Sequence, residues 1–358
     1  MSRTLKALLV GYQGFGNVGD EAILAGIELV LGGTVIRVDW VVCGPQPVTS
    51  FSNAIRIRTR RGRPSLAGVR ALRRADLLLF SGGGLLHDHW PAVVPTYLAW
   101  SLLARASGTR IAWVGVGIGP LRGHLARRLA GWTLRLADLI TVRDVESAEL
   151  VGEVAPGAPV TVVPDPAVFI VPPVTGTNRQ GVGIIVRLPT PSQAQLGEHM
   201  ARELGKAAAR LSADGRTVTL LTFGGTRDRE VAEAVAVAAT RAGGARPAIE
   251  ELGPDPLPVL TRLAALEGVI SVRLHGLILA AVAQTPVVGV SYDPKVGAWA
   301  SRLGLERGVP LTDLDATMLL KALARNMAEP VVSGVARRVA NLRREMGTVR
   351  ALLTGLDQ

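Results

Sequence analysis

Four basic residues in the second half of the chain are spaced to grip a small anion. The stretch SVRLHGLILAAVAQTPVVGVSYDPKV (271–296) puts Arg273 and His275 at the carboxyl end of a strand, with Gly276 opening the helix that follows. Backbone amides at a helix start attract anions, and a guanidinium beside them adds a forked donor. Lys295 follows the next strand, in SYDPK, and Arg187 ends the first strand of the same half, GVGIIVR (181–187). Taken singly, a histidine in a strand-to-helix turn is most often structural. Taken together, these side chains describe a clamp for phosphate and carboxylate groups, with one imidazole suited to move protons. In the first half, Arg143 ends a strand beside Asp144 and either joins such a clamp or pairs with its neighbour.

Three glycine-rich strand ends lie in the first half. GYQGFGNVGDEAIL (11–24) holds a formal G-x-G-x-x-G in Gly14, Gly16 and Gly19, with Asp39 at the end of the second strand. That spacing allows a dinucleotide site, but Asp20 and Glu21 at the helix mouth repel a pyrophosphate there. The alternative is a loop facing a ligand, with Asn17 and Asp20 available to sugar hydroxyls. SGGGLLHD (81–88) brings Gly83, Gly84 and Asp88 to a second strand end, where glycines let a ligand approach the backbone. His87 and His89 flank Asp88 without a further ligand cluster, so no metal is expected. VGVGIGP (114–120) supplies the third.

The elements that must position these residues alternate in type. Short Val/Ile/Leu runs are separated by amphipathic helical stretches, which is the pattern of parallel βαβ units. Strands are expected at 5–12, 34–42, 75–84, 110–120, 139–144 and 160–167, and 45–64 reads as loop. After the Pro/Gly/Thr-rich stretch VPPVTGTNRQ a second series of strands starts, at 181–187, 217–223, 247–252, 268–272 and 286–292. The expected organisation is an N-terminal Rossmann-like domain (1–172), a linker (173–180), a C-terminal Rossmann-like domain (181–330) and a helical tail (331–358). Two such domains facing each other across a cleft give a GT-B-like α/β fold, with ligands at the carboxyl ends of the strands.

Composition narrows the classes. With 358 residues, 48% hydrophobic and only 4% aromatic, the chain is globular, has room for two cores, and must build them from aliphatic side chains. The single cysteine, Cys43, excludes an internal disulfide and reads as a small core residue. The +11 charge comes from arginines scattered over helix faces, without a basic tail or interleaved aromatics, so nucleic acid is not the expected partner. The N-terminus runs straight into a strand and glycine loop, and the longest apolar stretch (274–290) is broken by His275, Gln284 and Pro286. A cytoplasmic protein is expected, with peripheral contact to the anionic inner face of the cell membrane left open by the charge.

At GYQGFGNVGDEAIL, SGGGLLHD, GVGIGPL, TVRDVES, PDPA and RLHGLILAAVAQTPVVGVSYDPKV, in order from residue 11 to 296, the sequence resembles the polysaccharide pyruvyl transferases, particularly the cell-wall type associated with surface-layer anchoring. The resemblance implies phosphoenolpyruvate as donor, no cofactor, and a 4,6-pyruvate ketal on a sugar, typically N-acetylmannosamine in a lipid-linked precursor. It implies donor handling by Arg143, His275 and Lys295, with Arg273 and Arg187 in the same motifs, and acidic acceptor-side positions at Asp20 and Asp88. His87 stands where the family usually has an aromatic or Gln. A nucleotide-sugar glycosyltransferase and a non-catalytic binder of anions or membranes are the competing functions; the oligomeric state is not legible.

Overall fold

The structure, a computed structural model, describes residues 4–46, 48–59, 62–172, 178–187, 195–224, 226–292, 294–306 and 308–357. It contains two compact units: Met1–Phe15, Asp20–Ile170 and Leu342–Gln358 form one, and Gly16–Gly19 with Val171–Asn341 the other. The expected linker falls largely at 173–177, outside the described residues. The helical tail is not a unit of its own, because its last part belongs with the first unit.

In the first unit, β1 (Leu5–Val10), α1 (Val18–Leu31), β2 (Ile36–Cys43), β3 (Ile55–Arg58), α2 (Leu66–Leu72), β4 (Leu77–Ser81) and β5 (Gly84–Leu86) come first. They are followed by α3 (Val93–Ala106), β6 (Arg110–Ile118), α4 (His124–Arg135), β7 (Leu139–Val142), α5 (Val145–Val154) and β8 (Thr161–Val162). The sheet order is β3-β2-β1-β4-β6-β7-β8, with β5 on β6, and every pairing is parallel. β3 lies inside the stretch expected as loop. It is a short edge strand whose residues are mostly at least partly exposed, so its IRIR sequence lacks the continuous apolar run that marks the central strands.

In the second unit, β9 (Val182–Ile185), α6 (Gly197–Ala213), β10 (Val218–Thr222), α7 (Thr226–Arg241), β11 (Ala248–Glu251) and α8 (Pro256–Ala264) form the first half. Then come β12 (Gly268–Ser271), α9 (Leu274–Val282), β13 (Val287–Ser291), α10 (Pro294–Arg302), β14 (Val309–Pro310) and α11 (Ala316–Asn326). α12 (Glu329–Arg344) and α13 (Met346–Thr354) close the chain. The order β11-β10-β9-β12-β13-β14, again all parallel, is the doubly wound Rossmann order. Its direction reverses between β9 and β12, which is where such sheets open a crevice for ligands.

The main cluster of the second core is aliphatic, with Phe223 and Trp299 fully buried elsewhere in that unit. The first is less so: Phe80, Tyr97 and Trp113 pack ring against ring, with Phe80 and Trp113 centroids 4.2 Å apart. Trp100 is fully buried and donates its indole N–H to the Gly62 carbonyl at 2.8 Å.

The helix mouth after the first glycine loop holds a buried acid. Glu21 is 2% exposed and accepts the Gly14 N–H at 2.5 Å, which stops a left-handed turn at Gly14 (φ 75°). Burial, reinforced by Asp20 and opposed by the Gly14 amide, raises its pKa from the ordinary 4.5 to about 7. Between those values the folded chain holds a proton that the unfolded chain has released. Stability therefore falls as pH rises through that window, by up to about 3 kcal/mol. Urea titrations at a series of pH values should show this slope, and Glu21→Gln, which keeps the acceptor oxygen, should remove it.

Candidate active site

The end of β12 is built around a tight turn. Ser271 Oγ donates to the Arg273 carbonyl at 2.7 Å and accepts the Arg273 amide at 3.1 Å, and α9 starts at the next residue. Gly276, the third residue of α9, is glycine for a steric reason. A Cβ there would stand 2.3 Å from Ser271 Oγ and 2.8 Å from Ile185 Cδ1, so the helix can sit this close to β9 and β12 only without a side chain. That seat carries His275 on the first turn, half-buried.

The imidazole lies over Gly19. A Cβ on Gly19 would be 2.2 Å from His275 Nδ1 and 2.6 Å from its Cγ. The segment containing Gly19 is folded into the second unit by its own contacts. The Val18 amide donates to the Phe223 carbonyl at 3.2 Å, after β10, and Asn17 Oδ1 accepts the Gly19 amide at 3.1 Å. Gly224 (φ 129°) backs against Gly16, whose carbonyl would be 1.8 Å from any Cβ there. Asn17 is thereby placed two residues from the glycine that His275 covers.

Arg187 and Arg273 emerge from neighbouring strand ends, since the Val272 amide donates to the Ile185 carbonyl at 2.9 Å. They are held differently. Arg273 donates through Nε to the Val186 carbonyl at 3.2 Å and forms a close ion pair through Nη2 with Asp228, which is 3% exposed in the first turn of α7. Two of its three nitrogens are thus engaged with protein groups. Arg187 stacks on Tyr292, its Cζ 4.1 Å from the ring centroid. Its Nη1 is buried and meets no hydrogen-bond acceptor among the described residues. Arg187 follows β9 and Tyr292 follows β13, so this stack passes the end of β12, where Arg273 and His275 sit. Lys295, half-buried, stands in the first turn of α10 just beyond Tyr292. The structure therefore brings Arg187, Arg273, Gly276, His275 and Asn17 to one end of the second sheet, with Lys295 on the adjoining strand-to-helix turn. Tyr292 and Asp228 are the members that sequence reasoning missed. Tyr292 stands in the noted SYDPK motif, whereas Asp228 looks like any acidic residue at a helix start.

Arg143 is a member of the first unit and is enclosed there. It is 4% exposed, bonded through Nη1 to Asp165 Oδ2 at 2.8 Å and 3.6 Å through Nε from Asp144 Oδ2. Asp144 also caps α5 by accepting the Ser147 amide at 2.8 Å, and Asp165 accepts the Ala167 amide at 3.0 Å. Gly117 leaves room for the guanidinium, since a Cβ would be 3.0 Å from its Nε and Nη2. Pairing with Asp144 was one expected reading; Asp165, from the PDPA motif, adds the shorter contact.

The residues expected on the acceptor side are also in the first unit, apart from Asn17. Asp20 Oδ1 accepts the Gly83 amide at 3.2 Å, and the Gly83 carbonyl accepts the Gly117 amide at 2.7 Å. Gly84 is exposed, with nothing within 4 Å of a Cβ position. Asp88 turns Oδ2 to the amides of Arg122 and Gly123, at 2.5 and 2.8 Å, and so caps the start of α4. Asp39, the carboxylate of the dinucleotide alternative, is paired with Arg37 at 2.6 Å.

Two parallel sheets of Rossmann order, one with cations and an imidazole at its switch point, define a two-domain α/β protein of GT-B-like fold. A family model for polysaccharide pyruvyl transferase matches residues 17–294, most of the chain, and the protein belongs to that family. Membership makes it a transferase of pyruvyl groups to polysaccharide. No curated protein sequence matches the chain. Among solved structures, UDP-GlcNAc 2-epimerase from Neisseria meningitidis bound to UDP-GlcNAc is 13% identical, with a TM-score of 0.60 over 98% of this chain and 99% of that one. A glycosyltransferase from Rickettsia africae is 11% identical, with a TM-score of 0.62 over 99% of both. UDP-GlcNAc 2-epimerase from Methanocaldococcus jannaschii is 12% identical, with a TM-score of 0.58 over 95% of this chain and 99% of that one. At these identities the likeness is one of fold. Among the described residues, no helix is long and apolar enough to cross a membrane.

Two substitutions test the site's construction. Gly19→Ala must displace the His275 ring, and should lower turnover by about 10²-fold or more while leaving the melting temperature within a few degrees of wild type. Arg143→Ala leaves Asp165 and Asp144 buried without their cation and should cost about 3–5 kcal/mol in urea unfolding.

Proposed function

We propose that the protein transfers the enolpyruvyl group of phosphoenolpyruvate to a cell-wall saccharide, forming a 4,6-pyruvate ketal and releasing inorganic phosphate. The observation that carries the donor assignment is the Arg187–Tyr292 stack beside His275 at the switch point of the second sheet. A small trianion needs cations that internal carboxylates have not already neutralised, and Arg187 has donor capacity to give. Lys295 and the Arg273 guanidinium, anchored by Asp228, supply the remaining positive field.

In the proposed reaction a proton is delivered to the methylene carbon of the donor, leaving positive charge at the adjacent carbon. One sugar hydroxyl adds there and gives up its proton. The carbon–oxygen bond to phosphate then breaks, and the second hydroxyl closes the ring, its proton leaving with the phosphate. One of the two hydroxyl protons replaces the one placed on carbon, so the step needs no oxidant or metal. His275 is assigned the proton transfers, which are worth roughly 10²–10⁴-fold in rate. Arg187, Lys295 and Arg273 are assigned to the departing phosphate and the carboxylate. Asn17, Asp20, Gly83, Gly84 and Asp88 are assigned to the acceptor, which we take to be N-acetylmannosamine in a lipid-linked precursor.

Incubation of the purified protein with phosphoenolpyruvate and extracted lipid-linked saccharides should release phosphate and add a pyruvyl mass to the saccharide. His275→Ala should stop both with the fold intact. Stabilisation against heat by UDP and not by phosphoenolpyruvate would instead favour a nucleotide-sugar reaction.

A further inference from the structure

One helix-covered face of the first unit carries an unusual surface. α3 and α4 are successive crossovers between parallel strands, so they run in the same direction and pack side by side on one face of the sheet. From His89 to Ala137, which spans both helices, the chain has six arginines and no aspartate or glutamate. Large apolar side chains point outward from the same helices. Leu125 is 69% exposed and Trp132 46%, two turns apart on α4, while Leu102 is 53% exposed on α3. Trp90, 59% exposed, belongs to the loop whose Asp88 caps α4, so it stands at the head of that helix.

The cations frame this apolar strip. Arg127 and Arg105 are paired with Glu153 and Asp138, but Arg122 and Arg128 are exposed, and Arg128 lies 4.9 Å from the centroid of the Trp132 ring. An outward row of Leu and Trp flanked by arginines, with Asp88 at the head of α4 engaged by the Arg122 and Gly123 amides, matches the boundary of an anionic bilayer. There indole and leucine enter the headgroup layer while guanidinium groups meet lipid phosphates. A second copy of the chain is a poor occupant, because a twofold contact would set arginines against arginines.

We infer that α3 and α4 form a membrane-docking face that holds the protein on lipid surfaces bearing anionic headgroups. This face involves none of the donor-site residues and stands whether or not the transfer reaction is the one proposed. The test is co-flotation of the full chain with vesicles of phosphatidylcholine mixed with phosphatidylglycerol, against vesicles of phosphatidylcholine alone. Wild type should float with the mixed vesicles and less at high salt. The double substitutions Leu125→Ser with Trp132→Ser and Arg122→Glu with Arg128→Glu should each weaken partitioning by about tenfold or more. Because all four side chains are exposed, both variants should keep wild-type circular dichroism and wild-type thermal stabilisation by phosphoenolpyruvate. Flotation that is absent, unchanged in the variants, or equal on neutral vesicles overturns the inference. So does a wild-type dimer that the same substitutions split, which would give the face to a second copy.

Discussion

The cluster of basic side chains at the end of the second sheet rests on how closely one helix sits against two strands. α9 reaches the switch point of the second sheet only because Gly276 presents hydrogen to Ser271 and Ile185. From that seat the first turn fixes Arg273 at the helix start and His275 one step inside it. Arg187 then crosses in front to stack on Tyr292. Interiors are packed as tightly as crystals, so a single methyl at this contact would shift every group that the strand ends present. Here a glycine is a rigid positioning element.

The two units use arginine in opposite ways. In the first, Arg143 is enclosed by carboxylates from two motifs and ties the turn after β7 to the segment at Asp165. In the second, Arg273 is half committed to Asp228, and Arg187 is held by an aromatic face that leaves its hydrogen-bonding edges available. A ring fixes a guanidinium without neutralising it, which an acid cannot do. The difference is one of electrostatics: the charge of Arg143 is answered by two buried carboxylates, while that of Arg187 meets an aromatic face.

Much of this was legible in the residues. Central strands buried on both faces, such as LLLF and VVGV, announce themselves by continuous apolar runs, and the doubly wound order follows from their alternation with helices. The SVRLHG turn declared its basic residues because Arg, His and Gly fall at a strand-to-helix junction. What stayed hidden depends on contacts between distant segments. Nothing local in SYDPK indicates that Tyr292 will support Arg187, since β12 separates their strands. Asp228 acquires its meaning only when α7 folds beside Arg273. Asp88 and Asp39 looked available because sequence shows a carboxylate but not the amides or arginine it will meet. The IRIR edge strand escaped because it lacks a buried face.

Residues 16–19 belong to the second unit, while the chain on either side belongs to the first. The unit that carries His275 is therefore discontinuous along the sequence. A fragment starting after the residues at 173–177 would lack the glycine beneath the imidazole, however well its sheet folded. Exchange of halves between relatives must carry this four-residue loop with the C-terminal part, since a cut made only at the apparent boundary would pair one protein's histidine with another's floor.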